Sequence, residues 1–208
     1  MKPAAADLLP GSVVLATSDM QGSPPPLEGD EIDHVLTANP RRRSEFAWGR
    51  ACARQALRGL GHPAAPLAAD ASRAPRWPPG VTGSISHCSG LCVAAVAPTA
   101  DLAGLGVDVE EVGALSAHLA EVLLTEGERR RVGDDGALGK LLFSAKESVF
   151  KCLSPPDGLL PDHCPLWSVT LAPDGTFTVE SDDEAAAVVG CYSTDGVRTF
   201  TAAWLRSR

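Results

Sequence analysis

Apolar residues recur along the chain with two different periods, and the switches between them mark out its elements. Val13 to Thr17 reads as a short strand and Gln21 to Pro26 as a loop. From Arg43 to Leu60, Phe46, Ala53, Leu57 and Leu60 fall at helical spacing while Arg43, Arg50, Arg54 and Arg58 gather on another face. Gly61 and Pro63 end that helix. Ala64 to Gly80, rich in Pro and Ala, reads as a loop. Val81 to His87 and Leu91 to Ala97 read as two strands joined by a Cys88-Ser89-Gly90 turn, and Leu102 to Val109 as a third. A helix is expected near Leu115 to Leu124 and a loop at Asp134-Asp135-Gly136. Leu138 to Leu153 then forms an amphipathic helix that buries Leu138, Leu141, Leu142, Ala145, Val149 and Cys152. The tail reads as two hairpins, turning at Pro173-Asp174-Gly175 and at Asp195-Gly196. A long helix with several strands thus occurs twice, which permits a duplicated α+β architecture.

Composition bounds this picture. The 208 residues are 44% hydrophobic and 21% charged, ordinary for a soluble protein with a core. Aromatics make up 5%, so the core must rest on Ala, Val and Leu. The six cysteines (Cys52, Cys88, Cys92, Cys152, Cys164, Cys191) form no C-x-x-C pair and no zinc-finger spacing, so reduced thiols in a cytoplasmic protein are expected. No long apolar segment opens the chain, and nowhere do eighteen apolar residues run together, so no membrane partner is expected.

The net charge of −8 is unevenly spread. Arg41 to His87 carries eight Arg against Glu45 and Asp70, whereas Asp101 to Glu147 carries ten Asp and Glu against five Arg and Lys. A non-specific nucleic-acid binder would be basic overall, which argues against that class. A basic stretch followed by an acidic one suits a polyanion held on one side and a metal on the other. It equally fits two solvated faces.

Four short segments carry the candidate chemistry. In Gly106-Val107-Asp108-Val109-Glu110 the period of two points Asp108 and Glu110 to one face of a strand, a minimal set of hard oxygen ligands for a divalent cation, or a strand with an acidic exposed side. In Phe143-Ser144-Ala145-Lys146-Glu147-Ser148-Val149-Phe150-Lys151, Glu147 and Lys151 are i,i+4 neighbours with Lys146 beside them. The chain has only four lysines (Lys2, Lys140, Lys146, Lys151), yet two fall in this window, where a compact ammonium beside a phosphate is harder to replace with Arg. Ser86 and His87 end a strand of small residues and are potential phosphate donors, although their adjacency makes a Ser–His nucleophilic pair geometrically poor. Arg50 and Arg54, with Arg42 and Arg43 at the helix start, form a stripe of guanidinium forks suited to a phosphate monoester, or a solvated face. There is no Walker loop and no full G-x-G-x-x-G.

In this order, E-F-x-x-x-R-x-x-A-R-x-A-L, W-P-x-G-x-x-G-S-I-S-H, G-V-D-V-E and F-S-A-K-E-S-x-F-K, the segments resemble the 4′-phosphopantetheinyl transferases of the larger, pseudo-dimeric class that activates siderophore and antibiotic synthetases. The match runs from about Arg41 to Lys151. The resemblance implies an α+β fold of two pseudo-symmetric halves, residues 1–103 and 104–208. Each half would be a small, mostly antiparallel sheet packed with a long helix, with a ligand cleft between them. It implies transfer of 4′-phosphopantetheine from coenzyme A to a serine of an apo acyl or peptidyl carrier protein by a monomeric enzyme, releasing 3′,5′-ADP. Asp108, Glu110 and Glu147 would hold Mg²⁺, with Mn²⁺ as the alternative ion. Arg50 and His87, with Arg42 and Ser86, would hold the 3′-phosphate, and Arg73 and Arg76 would flank the adenine. Lys146 and Lys151 would contact the pyrophosphate, with Lys151 the acid for the leaving group. Glu147 would be the base and Glu128 would orient a water. The competing readings are a metal-dependent hydrolase or kinase acting on a nucleotide phosphate, and a non-catalytic carrier- or coenzyme-binding module.

Overall fold

Two antiparallel sheets, each with one face covered by a long helix, meet along a pair of strands in the computed structural model, which describes residues 7–63, 65–70, 74–153, 167–180 and 187–207. The first sheet contains β1 (Val14–Ser18), β2 (Val81–Cys88) and β3 (Leu91–Pro98) in the order β1-β3-β2. The second contains β4 (Leu102–Glu111), β5 (Ser168–Leu171), β6 (Thr176–Glu180), β7 (Val189–Thr194) and β8 (Arg198–Arg206) in the order β4-β8-β7-β6-β5. The helices are α1 (Pro40–Gly59), α2 (Ala117–Leu123), α3 (Glu126–Val132) and α4 (Gly136–Leu153). The expected α+β class, with two antiparallel sheets and their helices, is therefore what the chain adopts. Among the described residues no helix is long and apolar enough to cross a membrane.

Strand periodicity assigns each side chain to a core. Cys92, Ala94 and Val96 of β3 pack with Ala53, Ala56 and Leu57 of α1. The alternate residues Leu91, Val93, Ala95 and Ala97 face a second core shared with Leu105, Val107 and Val109 of β4 and with Phe200, Ala202 and Trp204 of β8. A third core lies under α4, where Leu142, Ala145, Val149 and Cys152 meet Val169, Phe177, Val179 and Ala203. The low aromatic content has its counterpart here, because small side chains let helices and strands approach closely.

Element boundaries differ from the pattern where capping chemistry decides. α1 begins at Pro40 rather than Arg43, because the Asn39 side chain accepts from the Arg42 backbone N–H and Pro40 occupies the first turn. Beyond α2, a further helix forms where the pattern predicts none. Thr125 and Glu128 close a capping box on α3, each side chain accepting from the other's backbone N–H. Between Pro26 and Asn39 the hydrophobic pattern is silent, yet two short 3₁₀ turns, Gly29–Glu31 and Asp33–Val35, are pinned to α1. The fully buried Glu31 carboxylate accepts from Arg54 at 2.6 and 2.7 Å and from the Leu67 and Glu28 backbone N–H groups.

The seat of α4 on β4 depends on two glycines. A Cβ at Gly106 would lie 1.9 Å from the Ser148 carbonyl oxygen, and one at Gly104 would lie 2.2 Å from that of Cys152. Both contacts are with backbone, so a side chain there must push the helix off the strand that carries Asp108. Gly106→Ala is expected to destabilise the protein by about 3 kcal/mol in urea unfolding, the upper range for overpacking. Gly127→Ala, on α3 with nothing within 4 Å, should be neutral or slightly stabilising. Equal effects would contradict this reading of the strand–helix contact.

Candidate functional site

The cleft gathers one side chain set from each half. Arg42, Glu45, Phe46, Gly49 and Arg50 lie on one face of α1 because they recur at three and four residues. With Ser86 and His87 at the end of β2, Pro75 of the preceding loop, Asp108 of β4 and Lys151 of α4, they line a cavity of about 340 Å³. A second cavity of about 620 Å³ adjoins it, shares Glu45 and His87, and runs past Cys88, Gly90, Glu110 and Glu111.

Arg50 is the residue of this cavity whose buried hydrogen bonding is incomplete, among the described residues. Its residue is 4% exposed and its guanidinium sits 4.2 Å from the centroid of the Phe46 ring, but Nε and Nη2 are buried without a partner. Burial lowers its pKa to about 10, below the ordinary guanidinium value; Glu31 opposes that shift, and Arg42 and Arg54 add to it. A buried cation with two unused donors is unfavourable unless an anion arrives. Arg42, a second cation, and the His87 imidazole complete the pocket for one. Arg42 Nη1 lies 3.5 Å from His87 Nε2, and Glu45 holds both from 3.8 Å. Burial lowers the His87 pKa, Arg42 and Lys151 lower it further, and Glu45 and Asp108 oppose them.

Two of the carboxylates are held in the opposite way, each already paired with an ammonium. Asp108, 4% exposed, accepts at Oδ1 from Lys151 Nζ at 2.6 Å and from Ser86 Oγ at 2.8 Å, and at Oδ2 from Ser144 Oγ at 2.8 Å. Glu110 is ion-paired with Lys140 at 2.8 Å. Burial raises the Glu147 pKa, with Asp108 and Glu110 adding to the rise and Lys151 opposing it. So the face of β4 that carries Asp108 is not a solvated acidic side: α4 covers it. Three carboxylates offer the hard oxygen donors that Mg²⁺ prefers, and their chemistry fits a divalent cation. As they stand, among the described residues no three acidic, histidine or cysteine side chains converge enough to hold one. Lys151 and Lys140 occupy the oxygens instead.

Several expected positions fall elsewhere. Lys146 is 1% exposed, and its ammonium lies 2.6 Å from Glu128 Oε2 and donates to the Leu123 carbonyl, away from the phosphate cavity. Glu128, 0% exposed, also accepts from the Thr125 and Val169 backbone N–H groups, so it braces α3 against β5 and α4 rather than orienting a water. The physical reason is helical phase. At 100° per residue Lys140, Ser144, Glu147 and Lys151 share one face of α4, and Lys146 lies on another. Arg54 belongs to Glu31, and Arg43 donates to the Leu36 and Ala38 carbonyls, so neither joins Arg50 in the cavity. Ser86 lines the cavity with its hydroxyl donating to Asp108. Arg76 is exposed on the loop beside Pro75, and Arg73 lies outside the described residues. Glu45, Phe46, Ser144 and Lys140 belong to the site although the sequence pattern does not single them out for it. The first two were within reach through their i,i+4 spacing to Arg41 and Arg50, the last two through the stripe they share with Glu147.

Comparison with known proteins covers both halves. The model for the 4′-phosphopantetheinyl transferase N-terminal domain matches residues 30–97, and that for the 4′-phosphopantetheinyl transferase superfamily matches residues 104–203. The chain is 44% identical over 156 residues to 4′-phosphopantetheinyl transferase Svp of Streptomyces mobaraensis, covering 72% of this chain and 63% of that protein. It is 32% identical over 158 residues to 4′-phosphopantetheinyl transferase PptT of Mycobacterium tuberculosis, covering 72% of this chain and 70% of that one. Enterobactin synthase component D of Salmonella typhi is 35% identical over 130 residues, 59% of this chain and 53% of that protein. With one matching model on the half that bears Arg50, another on the half that bears Asp108, and relatives of the same name spanning both, the chain belongs to the 4′-phosphopantetheinyl transferase superfamily.

Proposed function

We propose that this protein transfers the 4′-phosphopantetheine group of coenzyme A to a serine hydroxyl of an apo carrier protein, with a divalent cation and with release of 3′,5′-ADP. The observation that carries the reading is the pairing of a buried, unsatisfied Arg50 with Asp108 across one cavity, with Glu110 lining the adjoining one and Glu147 close enough to both carboxylates to feel their charge. A phosphate monoester placed against Arg50 Nε and Nη2 would satisfy both donors at once, with Arg42 adding positive charge and His87 a ring N–H donor. The coenzyme's 3′-phosphate is that monoester, and its pyrophosphate would then extend toward Lys151 and Asp108. The adjoining cavity past Cys88 and Gly90 gives room for the pantetheine arm.

Asp108, Glu110 and Glu147 are the residues that would hold Mg²⁺, which neutralises charge on the pyrophosphate oxygens when bound. The chain's own groups supply the rest. Glu147, whose pKa burial raises, accepts the proton of the carrier serine. The serine oxygen forms a bond to the β-phosphorus as the bond from that phosphorus to the bridging oxygen breaks. The electron pair leaves with the 3′,5′-ADP phosphate, and Lys151 stabilises that departing charge. Lys151 must exchange its Asp108 oxygen for a phosphate oxygen to do so, a short movement for a flexible ammonium. Positioning and charge neutralisation do most of the work in such a transfer. Relatives named for enterobactin synthesis and for phosphopantetheinyl transfer support secondary-metabolite carriers as the partner class. A monomer acting in the cytoplasm completes the reading.

Incubation with coenzyme A, Mg²⁺ and several apo carrier proteins, followed by intact-mass spectrometry, tests it. The expected result is one phosphopantetheine added per carrier, lost when Mg²⁺ is chelated. Nucleotide hydrolysis with no gain in carrier mass would favour a phosphohydrolase and contradict the transferase. Arg50→Met isolates the anion site. It should bind coenzyme A at least about 30-fold more weakly, roughly 2 kcal/mol for loss of a buried charged partner. The free variant should melt no lower than the parent, because an unsatisfied buried cation is gone. Calorimetry and thermal melting with and without the coenzyme read both, and unchanged affinity would exclude Arg50 from the site.

A further inference from the structure

All three described lysines sit on carboxylates, and only one of the three, Lys140, has no part of its own in either the transfer chemistry or a buried brace. Lys151 holds Asp108, Lys146 holds Glu128, and Lys140 holds Glu110. The ammonium of Lys140 lies 2.8 Å from Glu110 Oε2 and 5.6 Å from the centroid of the Phe143 ring, so it is steered from two directions. Its side chain is 21% exposed and that of Glu110 27%. An ion pair this close to solvent adds little to stability, so stability alone is a weak reason for its geometry.

The layout of α4 offers a better reason. Lys140, Ser144, Glu147 and Lys151 lie within about 60° of one another around the helix, at 100° per residue. Lys140 and Lys151 are about 16 Å apart along the axis at 1.5 Å per residue. Asp108 and Glu110 are about 7 Å apart along their strand. The two lysines therefore lean inward from opposite ends onto neighbouring carboxylates, with Glu147 between them. The cluster of Asp108, Glu110 and Glu147 against Lys140 and Lys151 carries a net −1, and without Lys140 it would carry −2. A cation approaching Glu110 must displace the Lys140 ammonium or bind beside it, and partly buried charges are poorly screened.

Resting on the metal reading above, we propose that Lys140 is a tethered counter-cation that competes with the divalent ion for Glu110 and so sets how tightly this protein holds its metal. Lys151 does not serve this role alone, because it must move to the leaving phosphate during transfer. Lys140 has no such second partner in the reaction and remains beside Glu110. Its consequence is a weaker, more readily exchanged ion, with affinity recovered when the coenzyme's own phosphates supply further oxygen ligands.

Manganese titration of the full chain, followed by the EPR signal of the free ion, tests this with and without saturating coenzyme A. Lys140→Met, and Lys140→Gln as a second neutral variant, should bind Mn²⁺ about tenfold more tightly, equivalent to about 1.4 kcal/mol. Lys140→Arg, which keeps the charge, should bind as the parent does. Thermal melting should place all three variants near the parent, as expected for a partly exposed pair. Measurable binding that is equal or weaker in both neutral variants overturns the role of Lys140 and leaves the metal reading standing. No Mn²⁺ binding by the parent or either neutral variant, in either arm, overturns the metal reading and this inference with it.

Discussion

Asp108 is the carboxylate that both halves of the molecule hold, and the rest of the site depends on it. Ser86 reaches it from the first sheet, while Ser144 and Lys151 reach it from α4 in the second half. A carboxylate at 4% exposure is tolerable only with such donors around it. They in turn fix the distance between β2, β4 and α4. Ser144 is itself bonded to Thr201 of β8, so the network extends across the second sheet. Gly104 and Gly106 are the backbone condition for all of it, since any side chain there would lift α4 away from the strand.

The two walls of the cleft store opposite kinds of incompleteness. On the α1 side a cation is buried with donors to spare, and its pKa falls to about 10 under burial. On the β4 side each of two carboxylates already has an ammonium, and a third, Glu147, is pushed up by burial and by its acidic neighbours. An anionic substrate relieves the first wall directly. A cation relieves the second only by exchanging places with lysines, which makes the α1 wall the pre-formed half of the site and the β4 wall the half that rearranges. Under the proposed function this asymmetry would have a chemical meaning, because a coenzyme with a terminal phosphate and an internal pyrophosphate would present both demands in one molecule.

Much of this was legible in the sequence, and the failures have separate causes. The spacing in Gly106-Val107-Asp108-Val109-Glu110 gives the strand, its buried valines and its paired carboxylates, since period two leaves no other arrangement. The i,i+4 relation of Glu147 and Lys151 gives their shared face. Lys146 was grouped with them by adjacency in sequence, but 100° per residue carries it to the pair it makes with Glu128. The resemblance implies a water-orienting Glu128, yet Thr125-Glu126-Gly127-Glu128 is a capping box, a local signal that gives α3 its start. Arg54 shares a helix with Arg50, yet its partner Glu31 comes from a stretch with no hydrophobic period, and no pattern on α1 foretells that pairing. Burial of charge by a distant segment is the part that local periodicity does not encode.

A crystal structure with coenzyme A and Mn²⁺ bound is the most direct test of the division between the two walls. It should place a phosphate monoester on Arg50 Nε and Nη2, with anomalous density for the ion on Asp108 and its neighbouring carboxylates, and Lys151 turned from Asp108 to the pyrophosphate. A coenzyme phosphate bound elsewhere with Arg50 still unpaired, or an ion away from Asp108, would contradict it.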